Sequence, residues 1–172
     1  MRSRSSRTHS DTLSKSGFKI RGNRWFPFFH VAGIVTSLLA PLYQGSTVYP
    51  LLAFDPVKAL QVISRERLFL SGGVSTTIQA MLQHPACASY DLSSLKVVGS
   101  GGAPVPLFLV EQVKTGLGAD VCICFGQTEG SCCITMMLAD DPFALKAATV
   151  GKALSHIEIK IVDPVKIGRA HV

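Results

Sequence analysis

A hydroxyl next to a carboxylate, just past an apolar run, is the pairing in this sequence with the clearest chemistry. Phe125-Gly126-Gln127-Thr128-Glu129-Gly130 follows the apolar residues 119–125. Thr128 can bond a phosphate oxygen, and Glu129 offers a hard oxygen to the Mg2+ that accompanies phosphates. By itself the segment reads first as a polar surface loop. Gly99-Ser100-Gly101-Gly102-Ala103-Pro104 is a second candidate. Glycines admit a ligand close to the backbone, and a following helix N-terminus favours anions. A dinucleotide fingerprint would need its third glycine where Pro104 stands, and a nucleophile elbow would need glycine at Val98. Those two failures set aside dehydrogenase and α/β-hydrolase readings. Ser71-Gly72-Gly73-Val74-Ser75-Thr76-Thr77 lacks the lysine of a phosphate loop and reads as a strand-to-helix turn with Ser75 as cap. Phe26-Pro27-Phe28-Phe29-His30 gathers aromatics around a histidine, as a structural residue or as one wall of an apolar pocket.

The five cysteines, Cys87, Cys122, Cys124, Cys132 and Cys133, are an odd number with no secretory signal before them. They read as reduced, buried thiols of an intracellular protein. Cys122 and Cys124 would share one face of a strand, but tetrahedral metal spacing such as C-x-x-C is absent, so core packing is expected of them.

These residues need elements to hold them. Residues 31–43 are long enough for a buried helix, and 47–51 for a short strand. Asp55-Pro56 is a helix start, followed by Val57, Leu60 and Ile63 at helical spacing. Further strands are expected at 68–70, 96–99, 119–125 and 156–163, and further helices at 75–83 and 104–117. Strand–helix alternation predicts an α/β sheet with helices on its faces, and ligands beyond the carboxyl ends of its strands.

Composition narrows the function classes. Of 172 residues, 47% are hydrophobic and 16% charged, which is a globular balance. The net charge of +6 sits in the first 24 residues, which hold seven of the 17 Lys and Arg and one of the 11 acids. The remainder is balanced and shows no basic stripe, which excludes nucleic acid as the expected partner. The Ser/Arg-rich residues 1–24 are expected to be disordered, as a mitochondrial-type transit peptide or as translated upstream non-coding sequence. The most apolar run, 31–43, is interrupted by Gly33 and Pro41 and is too short to span a membrane. The expected location is cytoplasmic or mitochondrial, at most peripheral to a membrane.

In their order, four segments resemble the superfamily of adenylate-forming (AMP-dependent) synthetases and ligases. Phe28-Phe29-His30-Val31-Ala32-Gly33 is similar to its aromatic-histidine segment, and Ser100-Gly101-Gly102-Ala103-Pro104 to its glycine–alanine–proline turn. Phe125-Gly126-Gln127-Thr128-Glu129 is similar to its aromatic-Gly-x-Thr-Glu motif, the most specific of the four. Thr149-Val150-Gly151-Lys152 and Ile157-Glu158-Ile159-Lys160-Ile161-Val162-Asp163 resemble the stretch after it. The resemblance covers about residues 25–164 and is nearest to fatty-acyl-CoA synthetases.

The resemblance implies a fragment of a large N-terminal α/β domain, a mixed sheet flanked by helices. It implies a carboxylic acid joined to ATP as an acyl-adenylate, with Mg2+, and then passed to coenzyme A. Thr128 would bond phosphate and Glu129 would hold Mg2+, as the catalytic pair. Gly101, Gly102, Ala103, Pro104, Gly126 and Gln127 would line the nucleotide site, with Phe125 on adenine where the family more often has tyrosine. His30, Phe29 and Gly101 would form the acyl pocket. The family's phosphate loop, ribose-binding Asp and catalytic Lys find no counterpart, and residues 165–172 look like a translated sequencing adaptor. The chain alone is therefore expected to be inactive and, with exposed strand edges, poorly soluble. The alternative is a non-catalytic nucleotide-binding or interaction module on the same fold; oligomeric state is left open.

Overall fold

In a computed structural model that describes residues 20–161, seven strands form one sheet. They are β1 (Arg21–Arg24), β2 (Thr47–Pro50), β3 (Leu70–Gly73), β4 (Val97–Gly101), β5 (Asp120–Phe125), β6 (Thr135–Met137) and β7 (Lys152–Ala153). Their order is β2-β1-β3-β4-β5-β6-β7. The first five run parallel, and β6 and β7 are antiparallel additions. This is the mixed sheet expected.

The helices follow from local sequence. The first, α1, is π-helical over Ala32–Leu39 and α-helical over Ala40–Gln44. Helix α2 (Pro56–Glu66) begins as predicted: the Asp55 carboxylate accepts the Lys58 backbone N–H at 2.8 Å, and proline follows the cap. Helices α3 (Ser75–Gln83), α4 (Leu107–Leu117) and α5 (Phe143–Ala148) complete the set.

Period-two alternation gives the sheet two different faces. Val98, Val121, Ile123 and Met137 point to one side and are buried against helices α2, α3 and α4. Leu60, Ile63, Ile78, Met81, Leu109 and Val113 come from those helices and are at most 1% exposed. Cys122, Cys124 and Met136 alternate with the buried residues and so face the other side, as the Cys124–Met136 pairing requires. Trp25, just after β1, donates its Nε1 proton to Thr77 Oγ1 at 3.4 Å and packs its ring 5.2 Å from Phe54.

Several expectations are corrected. Residues 21–24, placed in the disordered leader, form β1 between two neighbours in the sheet. Arg-Gly-Asn-Arg has no apolar alternation, so pairing on both sides, not propensity, makes it a strand. Residues 1–19 and 162–172 lie outside the described residues. Helix α1 is not buried: Leu42 and Tyr43 are 67% and 93% exposed. Ser75 makes no cap bond; its hydroxyl instead donates to the Pro104 carbonyl at 3.3 Å. Residues 157–161 join no ladder, although their alternation predicts a strand. Among the described residues no helix is long and apolar enough to cross a membrane.

Candidate active site

Four loops leave the carboxyl ends of the parallel strands β1, β3, β4 and β5 and meet around one cavity of about 530 Å³. This is the position expected for a ligand in an open α/β sheet. Phe26, Pro27 and residues 29–32 form one wall, Val74 another edge, Gly99 to Gly102 the floor at the end of β4, and Gly126 to Thr128 the exit from β5.

The histidine wall is held by its own backbone. The His30 N–H donates to the Pro27 carbonyl at 3.0 Å, and the His30 carbonyl accepts the Ile34 N–H at 3.0 Å. His30 Nδ1 accepts the Ala32 N–H at 3.1 Å. With Nδ1 an acceptor, the neutral ring carries its proton on Nε2 and can donate to a ligand oxygen. Phe29 lines the cavity yet is 94% exposed, which puts it at the rim.

The opposite wall is the β5–β6 hairpin. Its ladder ends at Phe125 opposite Thr135, and a single 3₁₀ turn, Thr128–Gly130, carries the hydroxyl and the carboxylate. The Gln127 carbonyl accepts from Gly130 and Cys132, and the Phe125 carbonyl accepts the Ile134 N–H at 2.8 Å. Ser131 and Cys132 then take positive φ of 57° and 85° to turn the chain back. A Cβ on Gly126 would fall on the Cys132 carbonyl oxygen, so this position requires glycine. On the β4 side, Gly102 has φ 78°, a conformation glycine adopts without steric cost.

The structure therefore brings together Phe29, His30, Gly101, Gly102, Gly126, Gln127 and Thr128 around one space. Ala103, Pro104, Phe125 and Glu129 do not line it; they stand exposed at the same end of the sheet. Phe125 is 45% exposed, which leaves its ring accessible to a flat partner. The Glu129 carboxylate makes no hydrogen bond or ion pair among the described residues. It is therefore available as a hard oxygen donor, which suits a divalent cation that also takes oxygens from phosphates.

Cys87 packs against the core as expected, but the other four cysteines depart from the sequence reading. Cys122, Cys124, Cys132 and Cys133 line the cavity instead of packing the hydrophobic core. The C-x-C spacing did place the first two on one face, but only the tertiary packing decides which face is core. None is in a disulfide, and no group of residues among those described is arranged to hold a metal ion by three or more His, Cys, Asp or Glu ligands. A hydrogen bond with Cys124 and then burial push the Cys133 thiol far above the ordinary range, so it stays protonated. Thr36, Val74 and Met136 also line the cavity and carry no motif that would have singled them out.

The profile of the family described as AMP-binding enzyme matches residues 10–168. YngI of Bacillus subtilis, a candidate acyl-CoA synthetase, is 40% identical over 139 residues, which are 80% of this chain and 25% of that protein. A methyl-dioxo-octahydroindenyl-propanoyl:CoA ligase of Mycobacterium tuberculosis is 38% identical over 138 residues, 80% of this chain and 27% of that protein. The chain thus spans about a quarter of the length of these relatives. Among solved structures, the N-terminal domain of FACL13 from Mycobacterium tuberculosis superposes with a TM-score of 0.72 at 28% identity, covering 79% of this chain and 34% of that one. The family profile runs through every segment that meets at the cavity, and the chain belongs to the AMP-binding enzyme family, with the mixed α/β fold of acyl-CoA ligase N-terminal domains.

Proposed function

We propose that this chain carries the acyl- and nucleotide-facing part of an ATP-dependent acyl-CoA synthetase that activates an apolar carboxylic acid. One observation carries the reading. Residues about 30, 100 and 127, distant in sequence, converge on one cavity at the carboxyl ends of the strands. Its walls are aromatic, aliphatic and thiol side chains with exposed glycine backbone, a lining suited to an apolar acid with a polar end. His30 Nε2 would donate to an oxygen of the acid, and Thr128 would bond the phosphate to which that acid becomes joined. Phe125 would stack on the adenine, with Ala103 and Pro104 along its edge. Glu129 would hold Mg2+, which when bound neutralises phosphate charge. Holding two anions together against their repulsion is the work such a site must do, and donors aimed at the phosphate do it best from a rigid turn. Coenzyme A would be the acceptor in the whole protein, as in the ligases this chain resembles.

Binding tests the reading without requiring turnover. The chain is titrated by calorimetry with a non-hydrolysable acyl-adenylate mimic, an acyl sulfamate of adenosine. Saturable one-to-one binding is expected. Thr128→Ala should weaken it about 10- to 100-fold, the loss of one hydrogen bond to a charged group. No saturable heat with a folded chain would sink the reading.

A further inference from the structure

Three of the four loops that meet at the cavity are tied together by side chains, and both ties run through residues 74–77. Trp25 is buried and stands directly before the wall that begins at Phe26. Its Nε1 proton goes to Thr77 Oγ1 at 3.4 Å, and the Thr77 hydroxyl donates in turn to the Val74 carbonyl at 2.8 Å. Val74 lines the cavity, and the next residue, Ser75, opens helix α3. The Ser75 hydroxyl donates to the Pro104 carbonyl at 3.3 Å, two residues beyond Gly102 of the cavity floor. A Cβ on Gly73 would collide with both Thr77 Oγ1 and Trp25 Nε1, so the loops after β1 and β3 are in close contact. Strand β3 lies between β1 and β4 in the sheet, so its loop is the one placed to set the distance between the other two.

We propose that Ser75 and Thr77 are positioning residues: the first turn of α3 fixes the separation between the His30 wall and the Gly101–Pro104 turn, so that an acid on one and a nucleotide on the other lie at joining distance. The role rests on the activity proposed above, in which His30 meets the acid and residues 101–104 meet the nucleotide. Neither Ser75 nor Thr77 lines the cavity, and each acts through the backbone it holds. Such support matters because reacting groups misplaced by about 1 Å lose much of their advantage. The same links carry a signal. AMP seated against the 101–104 turn bears on the Pro104 carbonyl, and the path through Ser75, Val74 and Thr77 ends on the indole of Trp25, the only tryptophan of the chain.

The test uses the whole chain. AMP is titrated while the Trp25 emission is followed, and binding of the adenosine acyl sulfamate is measured by calorimetry. In the wild type, AMP should shift the Trp25 emission saturably. Ser75→Ala should remove most of that shift and weaken the sulfamate about 3- to 10-fold, the share of one neutral hydrogen bond. Its urea midpoint should stay unchanged, because the Ser75 bond is exposed. Thr77→Val keeps the shape and loses the hydroxyl, and should move both readouts the same way. Should that variant fail to fold, Ser75→Ala carries the test alone. Ser75→Thr and Thr77→Ser keep a hydroxyl and should bind within about twofold of the wild type. A wild type that binds the sulfamate but shows no AMP-dependent emission change would overturn the positioning role and leave the proposed activity standing. Ser75→Ala binding as tightly as the wild type, or equal losses in the hydroxyl-keeping variants, would do the same. A folded wild type that binds no sulfamate would remove both.

Discussion

Gly126 shows how one atom constrains the site. The space a Cβ would take is held by the Cys132 carbonyl, and the turn between them closes through the Gln127 carbonyl. Gly126→Ala must therefore push the hairpin apart. It should lower stability by about 1–3 kcal/mol, the usual cost of overpacking, read from the urea midpoint. It should also displace Thr128 and weaken adenylate-mimic binding more than the stability loss alone. The glycine–x–Thr–Glu spacing was legible in the sequence as a motif. Its steric reason was not, because the clash involves a residue six positions on, brought back by positive φ at Ser131 and Cys132. Asn23 was not legible either. It is fully buried in β1, and its side-chain nitrogen and oxygen have no partner among the described residues.

The elements divide by how local their causes are. The start of helix α2 was predicted to the residue, because its cap, its first-turn proline and its apolar spacing all lie within the segment. Asp55→Ala should cost about 1 kcal/mol by removing the carboxylate that accepts the Lys58 N–H, measured by chemical denaturation. Asp55→Asn, which keeps an acceptor, should restore most of it. Strand β5 was predicted for a similar reason, as a run of apolar residues. Strand β1 was missed because its cause is two neighbours and not its own residues. Helix α1 was predicted from its apolar content, yet much of that content faces outward: it touches β1 and β2 on one side only.

At the scale of the whole molecule, two ion-paired carboxylates contribute to the acid limit. The Glu66 carboxyl lies below its ordinary value of 4.5, held down first by a hydrogen bond from Arg65 and then by Tyr49. Asp91 lies below 3.8, held first by the Ser93 side chain and backbone and then by Arg67, 3.0 Å away. Both groups bind protons less readily folded than unfolded. Their stabilisation is thus complete above those ordinary values and is lost as pH falls through the lower folded values. The urea midpoint should therefore decline from about pH 5 downward. Asp91→Asn should flatten that decline slightly and lower the neutral midpoint by a matching small amount, because the linked stabilisation is present at neutral pH and an exposed pair is screened by water. An equally steep acid limb in the variant would remove Asp91 from the account.

What the sequence by itself determined was chemistry and order. The Thr128–Glu129 pair, the glycine turn at 99–104 and the aromatic-histidine segment were each weak alone, and became specific as an ordered set. Strand–helix alternation also determined that ligands belong at strand ends, because parallel strands joined by crossover helices send every strand-to-helix loop to the same end of the sheet. Only the tertiary structure decided that these three segments and the loop after β3 share one 530 Å³ space, and that four thiols front it while Val121 and Ile123 face the core. The physical reason is that alternation along a strand separates two faces without naming them. Which face meets helices and which meets a cavity depends on packing by segments far away in the chain.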